Sequence, residues 1–255
     1  MAQKDRLSDI IKLLRAEHKV FVSDLANRYK VTNETIRRDL ELLEKEGIVA
    51  RTYGGAIAVQ SAPVTSDYKE RAVRNAAAKA IIGRLAASLL PERGAIGCDS
   101  STTVYEAIPY IRSLSSLTLL TNSVRILNDF MYDKIRIIST GGNLRSRTQS
   151  LQGEAVSRSM EDYFLDVCVL SCRSLDLENG IYEGDEEEAY FKNIMVEHSR
   201  RVILIADHTK FNKTSLIRTL SYDKVDVLVT DRKPSDEWID RREGENVRKI
   251  GRAHV

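Results

Sequence analysis

The sequence of 255 residues predicts an α/β protein in two parts: a small N-terminal domain of helices closed by a β hairpin, then a larger domain on a mainly parallel sheet. Three observations point there. Within the first 60 residues, apolar positions recur at helical spacing and are followed by two short extended runs around Gly54-Gly55. Ser61-Ala62-Pro63-Val64-Thr65-Ser66 is small, polar and proline-containing, as linkers are. Beyond it, short apolar runs alternate with helical patterns, which is the signature of parallel strands joined by helices. The chain exceeds one average domain, so the expected division is residues 1–60, a linker over 61–66, and a larger domain over 67–249.

Leu7, Ile10, Ile11 and Leu14 predict a first helix from Lys4 to Glu17. Val20-Phe21-Val22 reads as a short extended piece, after which Ser23 is placed to cap a second helix carrying Leu25, Ala26 and Tyr29. Tyr29-Lys30-Val31 makes the turn into a third helix, capped by Thr32, whose Ile36, Leu40 and Leu43 fall on one face. Gly47 is placed to end that helix. Ile48–Arg51 and Ala56–Val59 then read as the two strands of the hairpin.

This order is that of a winged helix-turn-helix, and the third helix has the chemistry to read double-stranded DNA. Arg37 and Arg38 suit phosphate contacts or bidentate contacts to guanine. Thr32, Asn33 and Thr35 in the first turn are placed to reach base edges or phosphates, and Arg51 adds a cation from the hairpin. Glu41, Glu44 and Glu46 repel DNA, so only the N-terminal half of the helix should approach the duplex. A single such unit covers a short site, so at least a dimer is expected on paired half-sites.

The charge balance agrees, although weakly. Residues 1–60 carry 11 Lys plus Arg against 9 Asp plus Glu, so the whole net charge of +2 lies on the DNA-reading end. Cys98, Cys168 and Cys172 are an odd set in apolar runs, which reads as buried, reduced thiols in a cytoplasmic protein. Met1 is followed closely by Lys4, Asp5 and Arg6 rather than by a secretory signal, and no run approaches the roughly 18 apolar residues of a membrane span. The last six residues, Ile250-Gly251-Arg252-Ala253-His254-Val255, read as a non-native tail resembling a translated sequencing adapter, interrupting a final strand that begins near Val247.

In the larger domain, Tyr68 to Leu90 reads as one long, Ala-rich helix ended by Pro91-Glu92-Arg93-Gly94. Six apolar runs follow: Ala95–Cys98, Leu117–Leu120, Ile135–Ile138, Val167–Leu170, Val202–Ile205 and Val225–Val229. Each leads into a polar loop, namely Asp99–Thr103, Thr121-Asn122-Ser123, Thr140-Gly141-Gly142-Asn143, Ser171–Ser174, Asp207–Lys210 and Thr230-Asp231. In a parallel sheet such loops gather along one edge, where ligands bind.

In the first loop Asp99, Ser100, Ser101, Thr102 and Thr103 join a strand to a helix, so hydroxyls and backbone N–H groups converge where an anion such as phosphate is favoured. Lys210 is the candidate second contact to the anion. Arg145 and Arg147 follow a Gly141-Gly142 turn that permits close backbone approach, and Asn122 sits in the loop between. Asp99 is placed to bond hydroxyls of a ligand, with local turn capping as the plainer role. Asp185-Glu186-Glu187-Glu188 reads as the acidic first turn of a helix rather than as a metal site. No cofactor site is expected.

The string Val31 to Leu40, the Arg51-Thr52-Tyr53-Gly54-Gly55-Ala56 wing, and the motifs Asp99–Thr103, Thr121–Ser123, Thr140–Gly142, Asp207–Phe211 and Thr230-Asp231 together resemble the DeoR family of bacterial transcriptional repressors, in the family's order along nearly the whole chain. The resemblance implies that the larger domain is similar to ribose-phosphate isomerase folds and that its effector is a phosphorylated sugar. Ser101 stands where the family often has Gly. The alternative is a sugar-phosphate isomerase, which needs an acid and a base around the anchored sugar. Against it, Ser171-Cys172-Arg173-Ser174 follows the strand where enzymes of the resembling fold carry acidic residues, and no carboxylate appears until Asp176.

Overall fold

The computed structural model describes residues 3–17, 19–45, 49–58, 67–112, 114, 116–130, 135–244 and 249–252. The chain divides into two compact units, Met1–Val64 and Thr65–Val255.

In the first unit α1 (Gln3–Glu17) leads through β1 (Lys19–Phe21) into α2 (Val22–Tyr29) and α3 (Asn33–Lys45), followed by β2 (Val49–Thr52) and β3 (Gly55–Ala58). The core is Ile10, Leu14, Leu25, Ile36, Leu40, Leu43, Val49 and Ala56, so the apolar stripes of the three helices meet under the hairpin. Two local expectations change. Helix α2 begins at Val22 with Phe21 at its cap and no side chain capping it, and Ser23 lies inside the helix, bonding Asp24 instead. The wing is also three-stranded rather than a hairpin, in the order β1-β3-β2, because the extended piece before α2 pairs with β3. Gly55 permits that pairing: a Cβ there would lie 2.1 Å from the Val20 carbonyl oxygen. Gly47 lies outside the described residues, as does the 61–66 linker.

Between α1 and α3 lies a buried ion pair. Arg6 donates through Nε and Nη2 to Asp39 at 2.6 and 3.2 Å. Asp39 has no exposure, and losing either partner of such a pair costs about 3–5 kcal/mol because the other charge is left buried alone. The pair fixes α3, and with it the exposed Arg37 and Arg38, which lie between the buried Ile36 and Asp39.

The second unit opens with α4 (Tyr68–Val73) and α5 (Ala76–Ala87) where the sequence predicts one helix from Tyr68 to Leu90. Asn75 breaks it. Its backbone is left-handed, with φ of 54°, and its Nδ2 donates to Asp207 Oδ1 at 3.1 Å and to Thr209 Oγ1 at 3.0 Å. Composition favours a continuous helix, and a tertiary contact from a distant loop overrides it. Then follow β4 (Arg93–Cys98), α6 (Thr102–Tyr105), α7 (Ile108–Ile111), β5 (Ser116–Thr121), α8 (Val124–Asp129), β6 (Arg136–Ser139), β7 (Asn143–Arg145), β8 (Ser150–Gln152), α9 (Glu154–Glu161) and β9 (Val167–Ser171). The chain continues through β10 (Ser174–Asp176), β11 (Gly180–Glu183), α10 (Glu186–Glu197), β12 (Val202–Ile205), β13 (Ile217–Leu220), β14 (Val227–Thr230), α11 (Asp236–Gly244) and β15 (Lys249–Arg252).

All six predicted runs lie in one sheet of seven parallel strands ordered β15-β14-β12-β9-β4-β5-β6. Alternation along the strands builds a core on each face. Val167, Val169, Ile203, Ile205, Val227 and Val229 pack with Ile82, Ile108 and Ile126 on one side. Cys168, Leu170, Leu204 and Leu228 pack with Met160, Phe191, Met195 and Trp238 on the other. The strand expected near Val247 is present as β15 and includes Ile250, Gly251 and Arg252, residues whose sequence reads as foreign, paired in parallel with Leu228, Val229 and Thr230.

The sequence did not predict two smaller antiparallel pieces, the β10-β11-β13 sheet and the β7-β8 pair. Their strands are only three or four residues long, too short for an alternation signal. All three cysteines are free and buried. Among the described residues no helix is long and apolar enough to cross a membrane.

Candidate functional site

On α3, Thr32 is the cap: its Oγ1 accepts from the Thr35 backbone N–H at 3.2 Å. Asn33, Arg37 and Arg38 are exposed on the polar face. Glu34 stands between the two arginines, 3.9 Å from Arg37 and 3.5 Å from Arg38. Both pairs are solvent-exposed, so they are weak and yield readily to phosphate. Arg51 is exposed on β2 with its guanidinium 4.0 Å from Glu44. Tyr53, which sequence reasoning did not single out, is wholly exposed at the wing tip beside Gly54. Its signal was an aromatic residue placed directly before a Gly-Gly turn.

In the second unit a cavity of about 260 Å³ opens at the C-terminal ends of the strands. Ser100, Ser101, Thr102 and Thr103 come from the loop after β4, Cys172 and Arg173 from that after β9, and Asp207, Thr209, Lys210 and Lys213 from that after β12. These three strands are neighbours at the centre of the sheet, so sheet order decides which of the six polar loops meet. No residue of the loops after β5, β6 and β14 lines the cavity. Asp231, after β14, instead supports its neighbour by accepting from the His208 backbone at 2.8 Å.

Ser101, Asp99 and Lys210 each have a definite local role. Ser101 caps α6 by accepting from Val104 N–H at 3.1 Å. Asp99 is buried beneath the loop and its oxygens accept from the backbones of Ser101 at 2.8 Å and Ser171 at 2.9 Å. Its carboxylate is thus committed to tying the β4 and β9 loops together, the plainer of its two expected roles. Lys210 lines the cavity and donates from Nζ to Ser171 Oγ at 3.0 Å and to the Cys172 carbonyl. An ammonium has three N–H bonds, so one remains to offer a ligand. The next residue, Phe211, packs edge-on against the buried Trp238, which holds the loop in place.

Asn122, Gly141, Gly142 and Arg145 do not line the cavity. Asn122 bonds the Leu151 carbonyl at 3.2 Å, and Gly142 packs its backbone against β8, where a Cβ would lie 2.6 Å from the Gln152 carbonyl oxygen. Arg145 is paired to Asp185 at 2.5 Å and bonds Gln152 at 3.0 Å. Asp185 in turn caps α10, accepting from Glu188 N–H at 3.2 Å, so the acidic run is a helix start as its pattern predicts.

Several cavity residues were not legible in the sequence. Arg71, Arg74, Asn75 and Lys79 reach it from α4 and α5, because of the break at Asn75. Burial, reinforced by Lys210, lowers the Lys79 ammonium to about 8. Glu183, Glu188 and Lys192 also line it, so carboxylates do reach the cavity, from β11 and α10 rather than from the loop after β9. Lys192 is buried, bonded to the Ser171 carbonyl at 2.8 Å and to Glu183, and lies 3.3 Å from Asp99. Burial opposes its charge, but Glu183 and Asp99 outweigh that and raise its pKa. Asp207 is likewise held below the usual carboxylate range, since bonds from Thr209 and Asn75 and the charge of Lys210 outweigh burial.

The lining therefore brings cations, hydroxyls and carboxylates together in one cavity. Comparison with known proteins fixes the family. The DeoR-like helix-turn-helix domain matches residues 6–62, and the DeoR C terminal sensor domain matches residues 74–232, more than half the chain. The chain belongs to the DeoR family. This DeoR-family protein is 31% identical over 235 residues to the glycerol-3-phosphate regulon repressor of Escherichia coli (strain K12), covering 92% of this chain and 93% of the relative. It is 32% identical over 237 residues to the L-fucose operon activator of Haemophilus influenzae, covering 92% and 94%. Among solved structures, ribose 5-phosphate isomerase A from Methanocaldococcus jannaschii aligns with 54% of this chain and 55% of its own, at 14% identity and a TM-score of 0.39. The DeoR-family protein is a transcriptional regulator, not an enzyme, binding DNA through its helix-turn-helix and carrying a sensor domain for a small-molecule effector.

Proposed function

We propose that this regulator represses an operon for uptake or breakdown of a sugar, that its effector is a phosphorylated sugar, and that it acts as at least a dimer on double-stranded operator DNA. The supporting observation is the cavity itself, where Lys79 and Lys210 stand near the Ser100–Thr103 loop at the ends of β4, β9 and β12. Phosphate brings several charge-assisted hydrogen bonds to such a wall, each contributing roughly 1.5–3 kcal/mol. Control is by linkage: the effector weakens operator binding only as far as it binds the DNA-free arrangement more tightly.

Calorimetry across pentose and hexose phosphates and the matching free sugars tests this reading. A phosphorylated member should bind far more tightly than its free sugar and should release operator DNA in a gel shift. Thr102→Ala combined with Thr103→Ala should keep operator binding while abolishing that release. Equal affinity for sugar and sugar phosphate would remove the reading.

A further inference from the structure

Helix α10 begins with three glutamates, and they differ. Glu186 and Glu187 are exposed, whereas Glu188 is buried and lines the cavity. The helix start is served without it, since Asp185 caps the backbone and the exposed pair complements the dipole. Glu188 Oε1 has no hydrogen-bond partner among the described residues, although it is shielded from solvent. Neither Lys192 nor Arg71, the two cations that act on it, supplies one. Lys192 donates to the Ser171 carbonyl and to Glu183 and lies 3.3 Å from Asp99.

A buried carboxyl without a donor is costly, and burial together with the nearby Glu183 raises the pKa of Glu188. It is one of three carboxyls, with Asp99 and Glu183, gathered around a single ammonium. Of these, Glu183 and Glu188 line the cavity and complement a group that donates hydrogen bonds, while the cations of the same lining complement an anion. The terminal torsion of a glutamate is broad, so the orphan oxygen turns toward a ligand at little cost.

We propose that Glu188 is a specificity-determining residue of the sensor cavity, accepting a hydrogen bond from a hydroxyl or amino group on the carbon skeleton of the effector. This rests on the reading of the cavity as a sugar-phosphate site. Under it, the loop and lysines fix the phosphate without regard to the sugar, and Glu188 separates one sugar phosphate from another.

The test is calorimetry on the full chain with inorganic phosphate, ribose 5-phosphate, fructose 6-phosphate and glucosamine 6-phosphate, using the native protein, Glu188→Leu and Glu188→Gln. The native protein should bind at least one sugar phosphate more tightly than inorganic phosphate. Glu188→Leu should weaken that sugar phosphate by roughly tenfold or more, with inorganic phosphate unchanged. Glu188→Gln, which keeps an acceptor oxygen and the shape, should recover part of the loss and guards against misfolding of the leucine variant. Tighter binding of glucosamine 6-phosphate than of the two hydroxyl-only sugars would identify the donor as an amine, and the reverse as a hydroxyl. Native binding of a sugar phosphate with no loss in either variant, or an equal loss for inorganic phosphate, overturns the role of Glu188 alone. Failure of the native protein to bind any of the four overturns the sugar-phosphate reading and this inference with it.

Discussion

Arg38 and Lys79 show how one side chain takes its meaning from its surroundings. Arg38 is exposed and loosely held by Glu34, so its free energy is available to a partner. Arg38→Ala is expected to weaken binding to the native operator by about 1–3 kcal/mol if it contacts a base, with discrimination against altered operators relaxed. Gel-shift titrations at two salt concentrations separate this from a phosphate contact, whose loss lowers the salt slope evenly across sequences. Lys79 is the opposite case, buried beside Lys210 and half-neutral near pH 8. An anion in the cavity favours its charged form and lifts its pKa again. Below about 8 the lysine is protonated with and without ligand, and above it binding must take up a proton. Affinity for a sugar phosphate should therefore fall as pH rises above 8, and calorimetry at pH 8.5 in two buffers of different ionisation heat should detect proton uptake that Lys79→Met removes. No uptake in the native protein would contradict the assignment.

At the scale of the element, the wing and the α4–α5 break are both held by contacts distant in sequence. The wing depends on Gly55, whose missing Cβ leaves room for the Val20 carbonyl of β1. Gly55→Ala should part β1 from β3 and weaken operator binding, while heats of effector binding at the second unit stay as in the native chain. Operator affinity equal to the native protein would show that the close approach relaxes without consequence. The break at Asn75 has comparable reach, because one continuous helix would not be tied to Asp207 and Thr209, the contacts that accompany placement of Arg71 and Arg74 at the cavity.

For the whole molecule, the expected assembly follows from the size of the DNA site. One α3 reads only a few base pairs, and half-sites related by two-fold symmetry are the usual remedy. Light scattering at micromolar concentration should give a mass of at least twice 28.8 kDa. A monomer with and without operator DNA would exclude the assembly proposed here. Two separately cored units also predict separable defects, with changes in the Arg6–Asp39 pair lowering operator binding and changes in the Ser100–Thr103 loop lowering the effector response.

The sequence by itself determined the two units, the helix-turn-helix with the cap of its third helix, the six parallel strands, and the family. Those are local signals: apolar period, capping residue, turn glycine, and loop motifs such as Asp99–Thr103 and Asp207–Lys210 whose spacing is fixed along the chain. Tertiary structure alone decided which loops meet. Polar loops follow all six strands, but only those after the adjacent β4, β9 and β12 line the cavity, and Asn122, Gly141, Gly142 and Arg145, named from their pattern, lie outside its lining. The same holds for Lys79, Glu183 and Lys192, which carry no motif, and for Glu188, whose pattern reads only as the acidic first turn of a helix. They reach the cavity because a helix breaks at Asn75 and because α10 packs across the sheet, and such long-range contacts leave no period in the sequence that bears them.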